Sequence, residues 1–244
     1  MCKNTRSRVE FRYLNELEGY FNHKNETLIE KLQNFPKYVP HKNIITFLSK
    51  SEIYKKILDI HGSVIECGVL FGGGLMTWAH LSAIYEPINI TRKIIGFDTF
   101  EGFPGAHAKD KIGSFGRKGD FASHSEIDLQ ECVRIYDMLR FKNHVPKVEI
   151  VKGNLLDTAP QYLEENPHTI ISLLFLDLDI YEPTKFALDL FMDRIPKGGV
   201  IAFDHLNYKG TAGETTAYLE SVGLSKYKIN RYYFDPLISY IIKD

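Results

Sequence analysis

From residue 63 onward, short apolar runs alternate with longer amphipathic stretches, and most of the runs end in glycine or an acid. Ser63-Val64-Ile65-Glu66-Cys67-Gly68, Lys93-Ile94-Ile95-Gly96-Phe97-Asp98 and Val148-Glu149-Ile150-Val151-Lys152-Gly153 read as strands. So do Leu173-Leu174-Phe175-Leu176 before Asp177, and Val200-Ile201-Ala202-Phe203 before Asp204. Runs this continuously apolar belong to strands buried on both faces, which is the mark of a parallel sheet. Helical spacing follows the first strand from Leu75 through Met76, Trp78, Ala79 and Leu81, and recurs over 125–139, 159–165 and 183–194. Strand, helix, strand at these lengths is the right-handed βαβ unit. After a helix over 214–222, runs at 226–234 and 237–243 flank Asp235-Pro236 and predict a terminal hairpin,.

The first 62 residues have a different pattern. Phe11, Leu14, Leu17, Tyr20 and Phe21 recur at helical spacing, as do Leu28, Ile29 and Leu32,. Pro36 and Pro40 interrupt, and a further helix carries Ile44, Phe47, Leu48, Ile53, Tyr54, Ile57 and Leu58 up to His61-Gly62,. The expected organisation is a helical preface over 1–62, packed on the sheet or covering the site as a lid, and an α/β domain over 63–244. The long polar segment 104–126 has no apolar period, and a loop of that length in a compact domain is functional or mobile,. His107, Asp120 and His124 read there as solvated loop residues.

The chemistry concentrates at strand ends. Neighbouring strand ends lie about 5 Å apart, so Asp177, Asp179, Asp204 and His205 share one small space if their strands are adjacent. Open α/β sheets bind ligands at the carboxyl ends of their strands, although an Asp there is also a common turn former or helix cap. For Asp179 to face the same crevice as Asp177 the chain must turn, and Tyr181-Glu182-Pro183 is the expected turn, since the residue before proline avoids helical geometry,. Glycines at 68, 72, 73 and 74 form a strand–turn–helix passage where backbone can approach a ligand,. The spacing is neither G-x-G-x-x-G nor a P-loop. Asp98 stands where a carboxylate accepts both ribose hydroxyls of a nucleotide.

Composition narrows the partners. The chain has 244 residues, 44% hydrophobic and 13% aromatic, enough for one substantial core,. Its net charge of −1 marks no nucleic-acid or anionic-membrane partner,. Membrane insertion would need an apolar run of about 18 residues, and none is present,. Cys2, Cys67 and Cys132 have neither metal-ligand spacing nor a disulfide pattern,. A soluble, cytoplasmic protein is expected.

The segments IECGVLFGGG, IIGFDTFEGFP, VKGNLLDTAP, ISLLFLDLDIYEPTKFAL and PKGGVIAFDH, with KYVPHKNIITFLSKSEIYKKIL before them, resemble the macrocin O-methyltransferase family of class I S-adenosylmethionine-dependent methyltransferases. The resemblance implies a Rossmann-like α/β fold with a seven-stranded methyltransferase sheet: five parallel strands, a C-terminal antiparallel hairpin, and helices on both faces. It implies S-adenosyl-L-methionine as cofactor, with Glu66, Gly68, Gly72, Gly73 and Gly74 at the methionine end, Asp98 on the ribose, and Gly153 and Asn154 near the adenine. Asp177, also beside the cofactor, becomes a metal ligand and Asp179 the general base. The fifth strand of that family ends in two acids that bind the metal, whereas here Asp204 is followed by His205. His205 is then a ligand of Mg²⁺, Mn²⁺ or another divalent ion, the proton acceptor itself, or the sign of a site without metal. The implied reaction is O-methylation of a sugar hydroxyl on a nucleotide-linked sugar, polysaccharide or glycosylated natural product. A phenol, catechol or phosphoryl-linked acceptor is the alternative, ahead of an NAD-dependent oxidoreductase or a non-catalytic cofactor-binding module. A homodimer or higher homo-oligomer is expected.

Overall fold

The computed structural model describes residues 7–23, 25–110 and 117–244. Cys2 and part of the 104–126 segment therefore lie outside the described residues. The chain divides into two compact units, residues 1–48 and 49–244. In the smaller unit, α1 (Arg8–Phe21) and α2 (Leu28–Gln33) each open with a capping box, Ser7 with Glu10 and Thr27 with Glu30,. Tyr38 stacks on Tyr20 and meets Phe21 edge-on, both at 5.4 Å between ring centres. Helix α3 (His41–Tyr54) crosses the division, so its last turn and the 3₁₀ turn Lys55–Ile57 belong to the sheet unit.

The larger unit is built on one seven-stranded sheet in the order β3-β2-β1-β4-β5-β7-β6. Its parallel strands are β1 (Ser63–Cys67), β2 (Ile94–Asp98), β3 (Val148–Lys152), β4 (Ile171–Leu176) and β5 (Val200–Phe203). Strand β7 (Ser239–Ile242) runs antiparallel to β5, and β6 (Asn230–Arg231) to β7. This is the sheet the sequence predicts, with a shorter hairpin. Strand β6 keeps only two residues, because Asp235 accepts the amides of Leu237 and Ile238 and turns the chain before more pairing can form.

Alternate strand residues feed two separate cores, as the two-residue pleat requires. Val64, Ile94, Leu173, Phe175 and Val200 pack on one face with Tyr54, Leu75 and Trp78. Ile65, Ile95, Leu174, Leu176 and Ile201 pack on the other with Leu155, Leu188 and Phe191. The first face is covered by α4 (Gly73–Tyr85) and α5 (Glu126–Asp137). The second is covered by α6 (Leu155–Glu165), α7 (Tyr181–Phe191) and α8 (Ala212–Ser221). Helix α6 starts earlier than its apolar period suggests, because Asn154 caps it through the Leu156 amide.

The expected turn at Tyr181-Glu182-Pro183 is not there. Tyr181 and Glu182 are already helical, and Pro183 occupies the first turn of α7, where no intrahelical donor is needed,. The chain turns earlier, at Asp179, whose φ is +61° while the Ile180 amide reaches back 2.6 Å to the Leu178 carbonyl. That is the strained, positive-φ form of the γ-turn.

Strand order reverses between β1 and β4, where sheets of this type form their ligand crevice,. Gly68 closes β1 at φ +93°, and a Cβ on it would lie 1.9 Å from the Asp177 carbonyl oxygen. Gly68→Ala should therefore destabilise the fold by about 2 kcal/mol or more. A Cβ on Gly73, at the start of α4, would meet no atom within 4 Å. Gly73→Ala should leave stability within about 0.5 kcal/mol of wild type or raise it. Denaturant titration of the pair checks both, and equal stabilities would refute the close approach at Gly68.

Candidate active site

The hydrogen-bond ladder continues past the strands into the acids. The Asp177 amide donates to the Cys67 carbonyl at 2.9 Å, and the Asp204 amide to the Leu176 carbonyl at 3.0 Å. Asp177 and Asp204 thus stand side by side on β4 and β5. The γ-turn brings Asp179 back over them, and His205 completes the group. His205 Nδ1 lies 3.1 Å from Asp179 Oδ1 and 3.1 Å from Asp204 Oδ2. Neither contact has the angles of a formed hydrogen bond, so Asp179 Oδ1 and His205 Nδ1 are buried polar atoms in ionic contact but without a hydrogen-bond partner. One ligand-type atom from each of Asp177, Asp179 and His205 lies within 4.8 Å of the others.

Glu214, on the first turn of α8, closes the cluster from behind. It is fully buried, approaches the His205 amide at 3.4 Å through Oε1, and leaves Oε2 unpaired. Burial, and then the charges of Asp204 and Asp179, hold the Asp177 carboxyl well above the usual carboxylate range. Burial raises Asp204 as well, against the pull of His205 and Lys50, and it raises Glu214 far. Burial alone would lower His205. The contact with Asp179 and the charges of Asp204, Asp179 and Asp177 outweigh it and lift the imidazole to about 10. The site is short of positive charge.

Orphaned buried atoms, converging carboxylate and imidazole donors, and unbalanced negative charge together fit a divalent cation. Two carboxylates and one imidazole suit Mn²⁺ or a similar borderline ion better than the all-oxygen shell Mg²⁺ prefers. Asp179, expected as a base, lies in the same 4.8 Å group as Asp177 and His205, and Asp204, expected as a ligand, lies 3.1 Å from His205 Nδ1.

The residues expected around the cofactor divide differently. Glu66 is 2% exposed and pairs through Oε1 with Lys50 Nζ at 2.9 Å, beneath the start of α4. Gly74 is required there, since a Cβ on it would lie 2.0 Å from Glu66 Oε1. Lys50 also lies over the rings of Trp78 and Phe175, at 4.6 and 3.9 Å. Asp98 accepts the amides of Val69 and Leu70 at 2.6 and 2.7 Å on Oδ2, and that of Phe100 at 2.6 Å on Oδ1. A carboxylate has about four acceptor positions, so Asp98 keeps one for a ligand rather than two. Gly72 and Gly73 open α4 at the crevice, with Gly72 left-handed at φ +85°. Gly153 and Asn154 follow β3, which β2 and β1 separate from β4.

The segment after β2 is more anchored than its polarity suggests. The His107 ring packs on Tyr181 at 4.8 Å. The Asp120 carbonyl accepts the Phe103 amide, and the His124 amide donates to the Phe100 carbonyl. Sequence reasoning missed Lys50 and Glu214. Lys50 stands 16 residues before its partner with no local pattern linking the two, and Glu214 reads from sequence only as the start of a helix.

The sequence profile of the macrocin-O-methyltransferase (TylF) family matches residues 51–228. Among solved structures, the chain superposes on the calicheamicin methyltransferase CalS11 with a TM-score of 0.93 and 33% identity, covering 97% of this chain and 93% of that one. The apo structure of CalS11, described as a TDP-rhamnose 3'-O-methyltransferase of calicheamicin biosynthesis, matches with a TM-score of 0.85 and 31% identity over 97% and 95% of the two chains. The O-methyltransferase NovP shares the fold, at a TM-score of 0.66 and 19% identity over 82% and 80%. A comparison with curated protein sequences finds no match. No helix among the described residues is long and apolar enough to cross a membrane. With the profile spanning most of the sheet unit and CalS11 aligned over nearly the whole chain, this protein belongs to the macrocin-O-methyltransferase family.

Proposed function

We propose that the protein transfers the methyl group of S-adenosylmethionine to a hydroxyl of a nucleotide-linked sugar, at the crevice between β1 and β4. The observation that carries this reading is the Asp177–Asp179–His205 convergence at the switch point of the sheet. The acceptor class follows from the kinship with a TDP-rhamnose methyltransferase over nearly the full chain.

The cofactor brings an already activated methyl group, so the protein must align the acceptor and dispose of its proton. In this reading the turn of Gly68, Gly72 and Gly73 takes the methionine end. Asp98 gives its remaining acceptor position to a ribose hydroxyl, and Gly153 and Asn154 flank the adenine. Glu66 acts from below, holding the turn through Lys50 rather than meeting the cofactor. Asp177, Asp179 and His205 would hold a divalent cation beside the acceptor. When bound, such an ion acidifies a neighbouring hydroxyl. One oxygen of Asp179 then remains to take up the hydroxyl proton. His205 cannot serve in the cation-free state, because its neighbours keep it protonated at neutral pH,. Asp204, 3.1 Å from His205 Nδ1, favours the charged imidazole through its own charge.

Methyl transfer from labelled S-adenosylmethionine to a panel of nucleotide sugars tests the reading. Chelator should remove the activity and Mn²⁺ or Mg²⁺ restore it. Asp179→Asn should lower turnover by about 10²-fold or more, while S-adenosylhomocysteine binding stays close to wild type. Full activity in excess chelator would remove the cation from the scheme.

A second expectation concerns pH. His205, Asp177, Asp204 and Glu214 all bind protons more tightly in the folded protein than in the unfolded chain. The stability they contribute is complete at low pH and is lost as pH rises. For His205 the loss runs from about 6.5, its unfolded value, through about 10. The melting temperature of chelator-treated protein should fall across that window. A divalent cation should flatten the slope, as should His205→Gln. A melting temperature that rises with pH over that range in the chelated wild type would contradict the charge balance described here.

A further inference from the structure

Asp179 is held in a strained turn, and the residue that holds it there lies far away in sequence. A positive φ on a non-glycine residue with a reach-back hydrogen bond across two residues is a strained conformation. It persists only where the surroundings fix both of its ends. On the entry side, Asp177 is locked into the sheet through the Cys67 carbonyl. On the exit side the chain passes straight into α7, whose N-cap residue, Ile180, offers no side-chain cap.

The missing cap comes from the segment after β2. Asp110, 1% exposed, accepts the Tyr181 amide through Oδ1 at 2.6 Å and the His107 amide through Oδ2 at 2.6 Å. Tyr181 is the first residue of α7 and stands two places after Asp179. Room for the contact comes from α8: a Cβ on Gly213 would lie 2.0 Å from Asp110 Oδ1 and 2.5 Å from the Tyr181 amide nitrogen. A second, exposed attachment lies alongside. Lys109 Nζ donates to the Tyr181 hydroxyl at 3.0 Å and pairs with Glu220 at 2.6 Å. That attachment engages the side chain of Tyr181 and leaves its backbone alone.

We propose that Asp110 is a positioning residue for methyl transfer: by capping α7 from the opposite side of the crevice, it clamps the exit of the γ-turn and so sets where the Asp179 carboxylate stands. The clamp acts on backbone, needs an acceptor on the Tyr181 amide, and needs glycine at 213. It rests on the reading of Asp179 as proton acceptor, but its effect on the turn does not.

The experiment combines hydrogen exchange over residues 178–184 in the full-length protein with steady-state kinetics on the nucleotide-sugar acceptor. Asp110→Ala should speed exchange in that segment by about tenfold. It should lower kcat by about tenfold or more, with the KM for S-adenosylmethionine within about twofold of wild type. Asp110→Asn keeps one acceptor for the Tyr181 amide and should recover most of the loss. Gly213→Ala disturbs the same bond from α8 and should reproduce the Asp110→Ala pattern, which decides the matter if Asp110→Ala does not fold. Lys109→Ala should stay within about twofold of wild type in both measurements. Unchanged exchange over 178–184 in Asp110→Ala and Gly213→Ala would overturn the proposal. So would faster exchange with unchanged kcat, which is the mark of a purely structural cap. If the wild type methylates no nucleotide sugar, the acceptor assignment fails, and the exchange data alone judge whether Asp110 holds the turn.

Discussion

Carboxylates forced together in a low dielectric repel, and the carboxyl edge of this sheet is arranged around that repulsion. The ladder fixes Asp177 and Asp204 on adjacent strands, so neither can move away from the other without breaking the pairing of β4 with β5. Burial and the neighbouring charges accordingly make it unfavourable to ionise both,. Asp179 and Glu214 add to the crowding, and His205 supplies one compensating charge. The remainder must be met by protons or by a dication. Lys50 cannot meet it, because Glu66 already engages its ammonium in a buried pair. The same charge shortage that costs the fold stability makes the site a receptor for a cation. This is how a strand-end cluster becomes chemistry rather than a set of helix caps.

Strain is distributed to match. The connections leaving β1, β2, β4 and β5 each carry a non-glycine residue at positive φ: Leu70, Phe100, Asp179 and Asn207. Such residues need fixed surroundings to persist. Asp98 supplies them for two of the connections, tying the amides of Val69, Leu70 and Phe100 to one carboxylate. Asp110 supplies them for a third through the Tyr181 amide. Asp98, expected to face a ligand, is thus engaged in part in holding backbone, as a carboxylate near unpaired amides favours,.

Much of this was legible in the sequence, for a physical reason. Strands buried on both faces must be continuously apolar, so β1 to β5 and their terminal acids stand out. The convergence of Asp177, Asp204 and His205 follows from strand adjacency, whereas that of Asp179 also needs the turn at its own position. What stayed hidden depends on contacts between distant segments. Lys50 sits on a helix whose pattern gives no sign of a buried partner at Glu66. Asp110 lies in a polar stretch without period. The turn was misplaced onto Tyr181-Glu182-Pro183 because the restriction before proline is a bias that the first helical turn tolerates, whereas a left-handed Asp leaves no mark in sequence.

The most direct test of the account is a crystal structure grown with Mn²⁺ and S-adenosylhomocysteine, with anomalous scattering used to place the manganese. The charge balance at the sheet edge predicts one strong peak bounded by Asp177, Asp179 and His205, next to the sulfur end of the cofactor. A map with no manganese among those three residues, while the cofactor is bound and the acids are ordered, would contradict it.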